Sequence, residues 1–216
     1  MSGNDNTTAD SPKEASEATA EQAQAAIPVP TTEEQLRAVT VGELAPLVGH
    51  ILLVDYDPEW PQLFEREAER IYAALGDRVH LLEHVGSTSV PGLAAKPRID
   101  MLLVVADSSD EPSYVPALEA AGYVLRIREP DWHEHRMFNR PDTALNLHVF
   151  SLGSSEIERM LLFRNWLRTH PSDRELYERT KRELASKDWK YTQNYADAKS
   201  IVVEEIIARA RGNGGS

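Results

Sequence analysis

The hydrophobic pattern of the chain changes period several times. Residues 51–54 form a short apolar run closed by the turn Asp55-Tyr56-Asp57-Pro58. After Pro61, the residues Leu63, Phe64, Ala68, Ile71 and Leu75 return at helical spacing. That predicts a helix to about residue 75, ended by Gly76-Asp77. Residues 79–85 have extended character, interrupted by His80, Glu83 and His84. Residues 99–105 are almost continuously apolar, the pattern of a central strand, with Asp100 near its start. A helix over 111–121 is stopped by Gly122. Residues 123–128, about 134–140, and 144–151 read as an antiparallel meander, broken by Pro130 and Pro141-Asp142. From Ser154 the period is helical again. One helix is capped by Ser154-Ser155-Glu156 and stopped at His170-Pro171, and two more run over 173–187 and about 194–211. The expected class is α+β, a mixed sheet with flanking helices and a helical C-terminal third.

Charge divides the chain unevenly. Of a net charge of −12 over 216 residues, residues 1–50 carry −6, with only Lys13 and Arg37 as bases. Rich in Ala, Thr, Ser and Glu, this stretch holds too little apolar area to offset its ordering entropy. An acidic, disordered tail is expected over 1–49, a globular domain over 50–211, and frayed glycines over 212–216. The stretch Thr31-Thr32-Glu33-Glu34-Gln35-Leu36 has a cap-like Thr before acids, which suits one short helix inside the tail. The acidic balance disfavours gripping duplex nucleic acid. No run is long and apolar enough for a membrane span, and no secretory signal pattern opens the chain, so the expectation is cytoplasmic. With no cysteine, thiolate metal sites and cysteine nucleophiles are excluded.

The most informative stretch is Glu83-His84-Val85-Gly86-Ser87-Thr88-Ser89, followed by Val90-Pro91-Gly92-Leu93-Ala94-Ala95-Lys96-Pro97-Arg98-Ile99-Asp100. A strand leads into a Gly-Ser turn whose amides and hydroxyls suit a phosphate. Asp100 follows early in the next strand, where an ionised carboxylate needs a metal or a donor. Lys96 and Arg98 add positive charge. A phosphate with its metal complements the whole set; an ordinary turn and a capping aspartate are the plainer alternative for each part.

These residues resemble the GrpB-like branch of the nucleotidyltransferase superfamily. That superfamily carries a small-residue turn, hG[GS], and then Asp-h-[Asp/Glu]-h on a strand; Val85-Gly86-Ser87 and Asp100-Met101-Leu102-Leu103 stand in those places. The likeness runs from about Val54 through Arg209. It includes Asp57-Pro58-Glu59-Trp60, Asn146-Leu147-His148-Val149, Leu162-Phe163-Arg164-Asn165-Trp166-Leu167 and Tyr195-Ala196-Asp197-Ala198-Lys199. The resemblance implies an enzyme that binds ATP or another nucleoside triphosphate with Mg²⁺ or Mn²⁺. It would transfer a nucleotidyl or phosphoryl group to a small-molecule or protein acceptor. An ATP-dependent amide-forming ligase and a non-catalytic nucleotide- or phosphate-binding accessory module are the alternatives. Members of the family also occur fused to dephospho-coenzyme A kinase; this chain has no Walker-type loop of its own.

One departure matters. Alternate strand residues share a face, so a second carboxylate belongs at position 102, where Leu102 stands. Either the metal is held differently, or phosphate binds without ordinary transfer, or the chemistry has moved. Histidines are the available replacements. His133 and His135 share a face if extended, His148 lies on a neighbouring strand, and His84 precedes the turn. With Asp100 they form the candidate metal set, which suits a transition ion. Glu129 is the acid nearest to joining Asp100 from the meander. Asp100, His148 and Lys199 are the candidate catalytic residues. Gly86, Ser87, Thr88, Ser89, Lys96, Arg98, Arg164 and Tyr195 are the candidate phosphate or nucleotide contacts. Packed histidines and solvated helix faces are the plainer reading of the same residues.

Overall fold

The computed structural model describes residues 30–213. The leader expected to be disordered lies in large part outside these residues, as do the last glycines. In chain order the elements are α1 (Glu33–Val39), α2 (Glu59–Leu75), β1 (Leu81–Val85), β2 (Ile99–Val105), α3 (Glu111–Ala120), β3 (Val124–Glu129), β4 (His135–Arg140), β5 (Thr143–Ser151), α4 (Ser155–Thr169), α5 (Pro171–Ala185) and α6 (Thr192–Asn213). A short 3₁₀ turn, Ser87–Ser89, follows β1. The class is α+β, as the periodicity predicts.

The five strands form one sheet in the order β1-β2-β5-β4-β3. Only β2 and β5 run parallel; the other neighbours are antiparallel. The two faces of the sheet follow from the strand period. Met101, Leu103 and Val105 of β2, with Leu145, Leu147 and Val149 of β5, face α2 and α3 in the main core. The opposite face carries Val85, Leu102, Val104 and Phe150, covered by Ile157, Met160 and Leu161 of α4. A third cluster joins Val90 and Leu93, from the segment after the Gly-Ser turn, to Leu167, Tyr177, Val202 and Ile206 of the C-terminal helices. That cluster anchors α5 and α6 beside the turn. No helix among the described residues is long and apolar enough to cross a membrane.

Two local details refine the sequence reading. Helix α2 starts at Glu59, two residues before Pro61, because the Asp57 carboxylate accepts the Glu59 amide at 2.9 Å. Residues 31–47 form a strap. Helix α1 has the full capping box of Thr32 with Gln35, and its Leu36 is buried. At one end the Thr31 amide donates to Asp197 of α6 at 2.8 Å; further on, the Val41 amide donates to the Arg126 carbonyl of β3 at 2.8 Å.

An internal ion cluster ties α2 to the sheet on the face away from the Gly-Ser turn. Glu67 is 3% exposed. Its carboxylate accepts from Arg140 Nη1 at 3.0 Å and from the Tyr123 hydroxyl at 2.7 Å. Burial and the neighbouring carboxylate push the Tyr123 hydroxyl pKa well up, so it stays a donor.

Candidate functional site

Gly86 is where strand β1 turns out of the sheet. Its φ of 69° with ψ of −172° belongs to the region open essentially to glycine. A Cβ built there would stand 2.5 Å from Asp100 Oδ2. The bend and the carboxylate are therefore in direct apposition, because Val85 and Asp100 are paired across β1 and β2. Among the described residues, the amides of Ser87 and Thr88 meet no acceptor in the chain. They are the first amides of the 3₁₀ turn, the positions that a helical turn leaves without an internal partner.

Asp100 is held from the neighbouring strand. Asn146, its partner in the parallel pairing, donates Nδ2 to Asp100 Oδ1 at 2.8 Å. His148 Nε2 lies 3.6 Å from the same oxygen, and both side chains keep solvent access, 31% for Asp100 and 21% for His148. Burial raises the carboxyl pKa, but His148, Asn146 and Lys199 together outweigh it and hold it at about 2. Asp100 is an anion at neutral pH.

Behind His148 stands a chain of hydrogen bonds. His148 Nδ1 meets His135 Nε2 at 3.0 Å, and His135 Nδ1 meets Glu129 Oε2 at 2.7 Å. Burial takes the His135 pKa down to about 4, so the ring is neutral at pH 7. A neutral His135 that donates Nδ1–H to Glu129 presents a bare Nε2, which accepts Nδ1–H of His148.

Three lysines converge from the helical side. Lys96 and Lys199 each place Nζ 5.7 Å from the Tyr195 ring centre. Lys181 of α5 is buried, meets Ser87 Oγ at 3.1 Å and donates to the Ala94 carbonyl. Burial, and then the charge of Lys199, lower Lys181 to about 7 and Lys96 to about 8. Lys199 is pushed the other way by Tyr177, which outweighs its burial, and by Tyr195 and Asp100.

The structure thus brings Gly86, Ser87, Lys96, Asp100, His148, Tyr195 and Lys199 into one cluster beside the Gly86 bend. The other residues of the expected set serve different roles. The candidate metal set of Asp100, His84, His133, His135 and His148 does not assemble: among the described residues no group of three or more such side chains is placed to hold an ion. His84 is buried, stacks on Phe64 at 5.1 Å and meets Thr88 Oγ1 at 3.0 Å; burial lowers it to about 4. Thr88 and Ser89 are internal to the turn, Ser89 donating to the Gly86 carbonyl at 2.6 Å. His135 has both ring nitrogens engaged and orients His148 instead. His133 sits exposed with φ of 53° against Trp132, outside the Asp100 cluster. Arg164 is spent on Glu83 at 2.6 Å and the His84 carbonyl at 2.9 Å, and Arg168 binds the Ser89 carbonyl, so both arginines brace the turn from behind. Arg98 donates to the Leu145 carbonyl at 2.8 Å and lines a separate cavity of about 410 Å³ at the β4–β5 hairpin with Asn139, Arg140, Asp142 and Thr143. A larger hollow of about 670 Å³ between α2 and α3 lies on the far face, remote from this chemistry.

Two participants escaped the sequence reading. Asn146 was legible: it alternates with His148 on a strand parallel to the one holding Asp100. Lys181 gave no local signal, because nothing in a charged helix shows which lysine will be buried.

Against known proteins, residues 50–209 match the family model described as GrpB protein. The chain is similar to a UPF0157 protein of Halalkalibacterium halodurans, 62% identical over 181 residues, covering 84% of this chain and 93% of the relative. It is also similar to the solved structure of the conserved protein GrpB from Enterococcus faecalis, with 30% identity and a TM-score of 0.68, covering 76% of this chain and 100% of that one. A dephospho-CoA kinase of Mycolicibacterium paratuberculosis is 31% identical over 158 residues, 61% of this chain and 39% of the kinase.

Proposed function

The chain belongs to the GrpB family, and from that premise we propose that the cluster around Asp100 binds a nucleoside triphosphate with a divalent cation and transfers a nucleotidyl or phosphoryl group to a small-molecule or protein acceptor. The observation that carries this reading is the apposition of the Gly86 bend with Asp100, 2.5 Å from a Cβ at that glycine. The Ser87 hydroxyl, the Ser87 and Thr88 amides and Lys96, Lys181 and Lys199 gather around the bend that meets the ionised Asp100. Such a set satisfies a polyphosphate and its counter-ion together.

In this reading the Ser87 and Thr88 amides and the Ser87 hydroxyl take phosphate oxygens. Lys96, Lys181 and Lys199 offset the charge, and Asp100 with His148 face the cation. A cation held there by Asp100 would supply positive charge that neutralises the phosphates during transfer. Tyr195, with an ammonium of Lys96 and of Lys199 each near its ring, helps to position both charges.

Calorimetry tests the reading. ATP and GTP are titrated into the full chain with and without Mg²⁺, for wild type and Asp100→Ala. Cation-dependent binding by wild type, lost in the variant, is the expected result. Binding that ignores the cation and survives in Asp100→Ala overturns it. That second outcome supports an accessory module, the reading favoured by the match inside a dephospho-CoA kinase.

The lysines add a pH dependence with a definite sign. Both depressed lysines are protonated below their pKa values and lose charge as pH rises through about 7 for Lys181 and about 8 for Lys96. Anion affinity is therefore greatest on the acid side of this window. Tripolyphosphate should bind about tenfold more weakly at pH 9 than at pH 6.5, roughly one lost charge interaction of 1.4 kcal/mol. Lys181→Met should flatten the part of that profile near pH 7.

A further inference from the structure

Lys181 is a buried amine, 2% exposed, with no carboxylate at ion-pair distance among the described residues. Its Nζ meets Ser87 Oγ at 3.1 Å and the Ala94 carbonyl, and lies 4.8 Å from the Tyr177 ring centre. Glu178 of the same helix is turned to the Ala94 amide and to Arg182, and Arg182 also reaches Asp55. Lys199 of α6 brings a second positive charge. An ammonium is costly in such company. Burial first, and then Lys199, bring Lys181 down to about 7 against the pull of Glu178, so a large share of it is a neutral amine at pH 7. Ser87 is matched to that amine. The other two hydroxyls of the turn are buried and engaged, Thr88 with His84 and Ser89 with the Gly86 carbonyl. Ser87 is partly exposed, and its Oγ meets Lys181 alone among the described residues. When Lys181 is neutral, Ser87 Oγ–H donates to the Nζ lone pair while an N–H of the amine stays anchored on Ala94. A hydroxyl that donates to a fixed, uncharged base is an activated nucleophile. Lys96 and Lys199 beside Tyr195 make an anionic phosphorus centre the fitting electrophile.

We propose that Ser87 is a nucleophile, with Lys181 as its general base, and that the chain itself is the first acceptor of the transferred group, as a phosphate ester on Ser87. A bond forms between Oγ and phosphorus, and the anhydride P–O bond breaks. The Oγ proton passes to Nζ, which becomes an ammonium beside the new ester. Attack at the α-phosphorus of ATP expels pyrophosphate, and attack at the γ-phosphorus expels ADP; no further reactant is consumed. The inference rests on the function proposed above, which supplies the phosphoanhydride.

The test incubates the full chain with MgCl₂ and ATP labelled at the α- or the γ-phosphorus, without any added acceptor. Intact mass and peptide mapping should show one AMP or one phosphoryl group per chain, on Ser87, and the position of the label tells which phosphorus is attacked. Ser87→Ala should abolish the label. Lys181→Arg keeps a positive charge but cannot take a proton, so it should bind tripolyphosphate yet lose at least tenfold in labelling rate. Should Lys181→Arg fail to fold, the wild-type pH profile decides. Bound phosphate favours the ammonium, so the rate at saturating ATP should rise at least about tenfold from pH 6 to pH 8, through a pKa of about 7 or above. That is opposite in sign to the pH dependence of anion binding. A label on another residue, a label that survives in Ser87→Ala, wild-type labelling by folded Lys181→Arg, or a rate that is flat or falls over this range overturns the inference. ATP binding in calorimetry with no label on Ser87 removes this step and leaves the nucleotide reading standing. Neither binding nor label removes both.

Discussion

Glu67→Ala will melt about 6–12 °C below wild type. The carboxylate is almost wholly buried and neutralises Arg140, whose side chain is only 14% exposed. Its removal leaves a guanidinium and the Tyr123 hydroxyl facing a cavity. Breaking a buried pair from one side costs about 3–5 kcal/mol. Asp142 remains as a partner for Arg140 Nη2 at 2.9 Å but is largely exposed, so the lower end, about 3 kcal/mol, applies. For a chain of this length each kcal/mol moves the midpoint by about 2–4 °C. Scanning calorimetry checks the shift. Glu67→Gln keeps the shape and one acceptor for Tyr123 and should fall between the two. The cluster lies on the face away from Asp100, so folded Glu67→Ala should retain wild-type nucleotide affinity. A melt within 2 °C of wild type would show that Asp142 alone neutralises the arginine.

Gly86→Ala should damage both stability and site. The backbone there, φ 69° and ψ −172°, costs a residue with a Cβ about 1–3 kcal/mol. The new methyl would also meet Asp100 Oδ2 at 2.5 Å, Cβ at 3.1 Å and Cγ at 3.2 Å. Asp100 must swing away, which breaks its bond to Asn146 and its apposition to His148. The expected result is a lowered melting temperature together with loss of cation-dependent nucleotide binding. A double variant with Asp100→Ala separates the two effects. Removing the carboxylate relieves the clash, so part of the stability should return while binding stays lost, a coupling that single substitutions cannot show. If Gly86→Ala binds ATP and cation as wild type does, the bend is not part of the site.

Much of this was legible in the chain. The apolar run at 99–105 became the interior strand β2 with matching ends, and the stretches over 123–151 became the antiparallel meander of β3, β4 and β5. The Gly-Ser turn and Asp100 were paired in sequence and are paired in space, because a glycine between a strand and a turn, followed by an acid in an apolar strand, leaves few other solutions. What stayed hidden depends on tertiary packing. Glu67 lies on the inner face of α2 among Phe64, Ala68 and Ile71, where periodicity marks a polar interruption but not its buried partners. The histidines were too similar to sort: His84, His135 and His148 all interrupt strands, and only the register of β4 with β5 decides which ring faces Asp100. Arg164 of α4 looked like a phosphate contact, but the Glu83 carboxylate and the His84 carbonyl consume its donors first.

The one parallel pairing in the sheet carries a consequence for how the molecule is made. Strand β5 is the last of the five to leave the ribosome, yet it slots between β2 and β4. Asp100 meets Asn146, 46 positions further along the chain, so its surroundings do not exist until that insertion is complete. Such a late, long-range closure is the slow class of folding event. Any small molecule captured at Asp100 therefore selects finished copies over half-built ones, and raises their share by mass action.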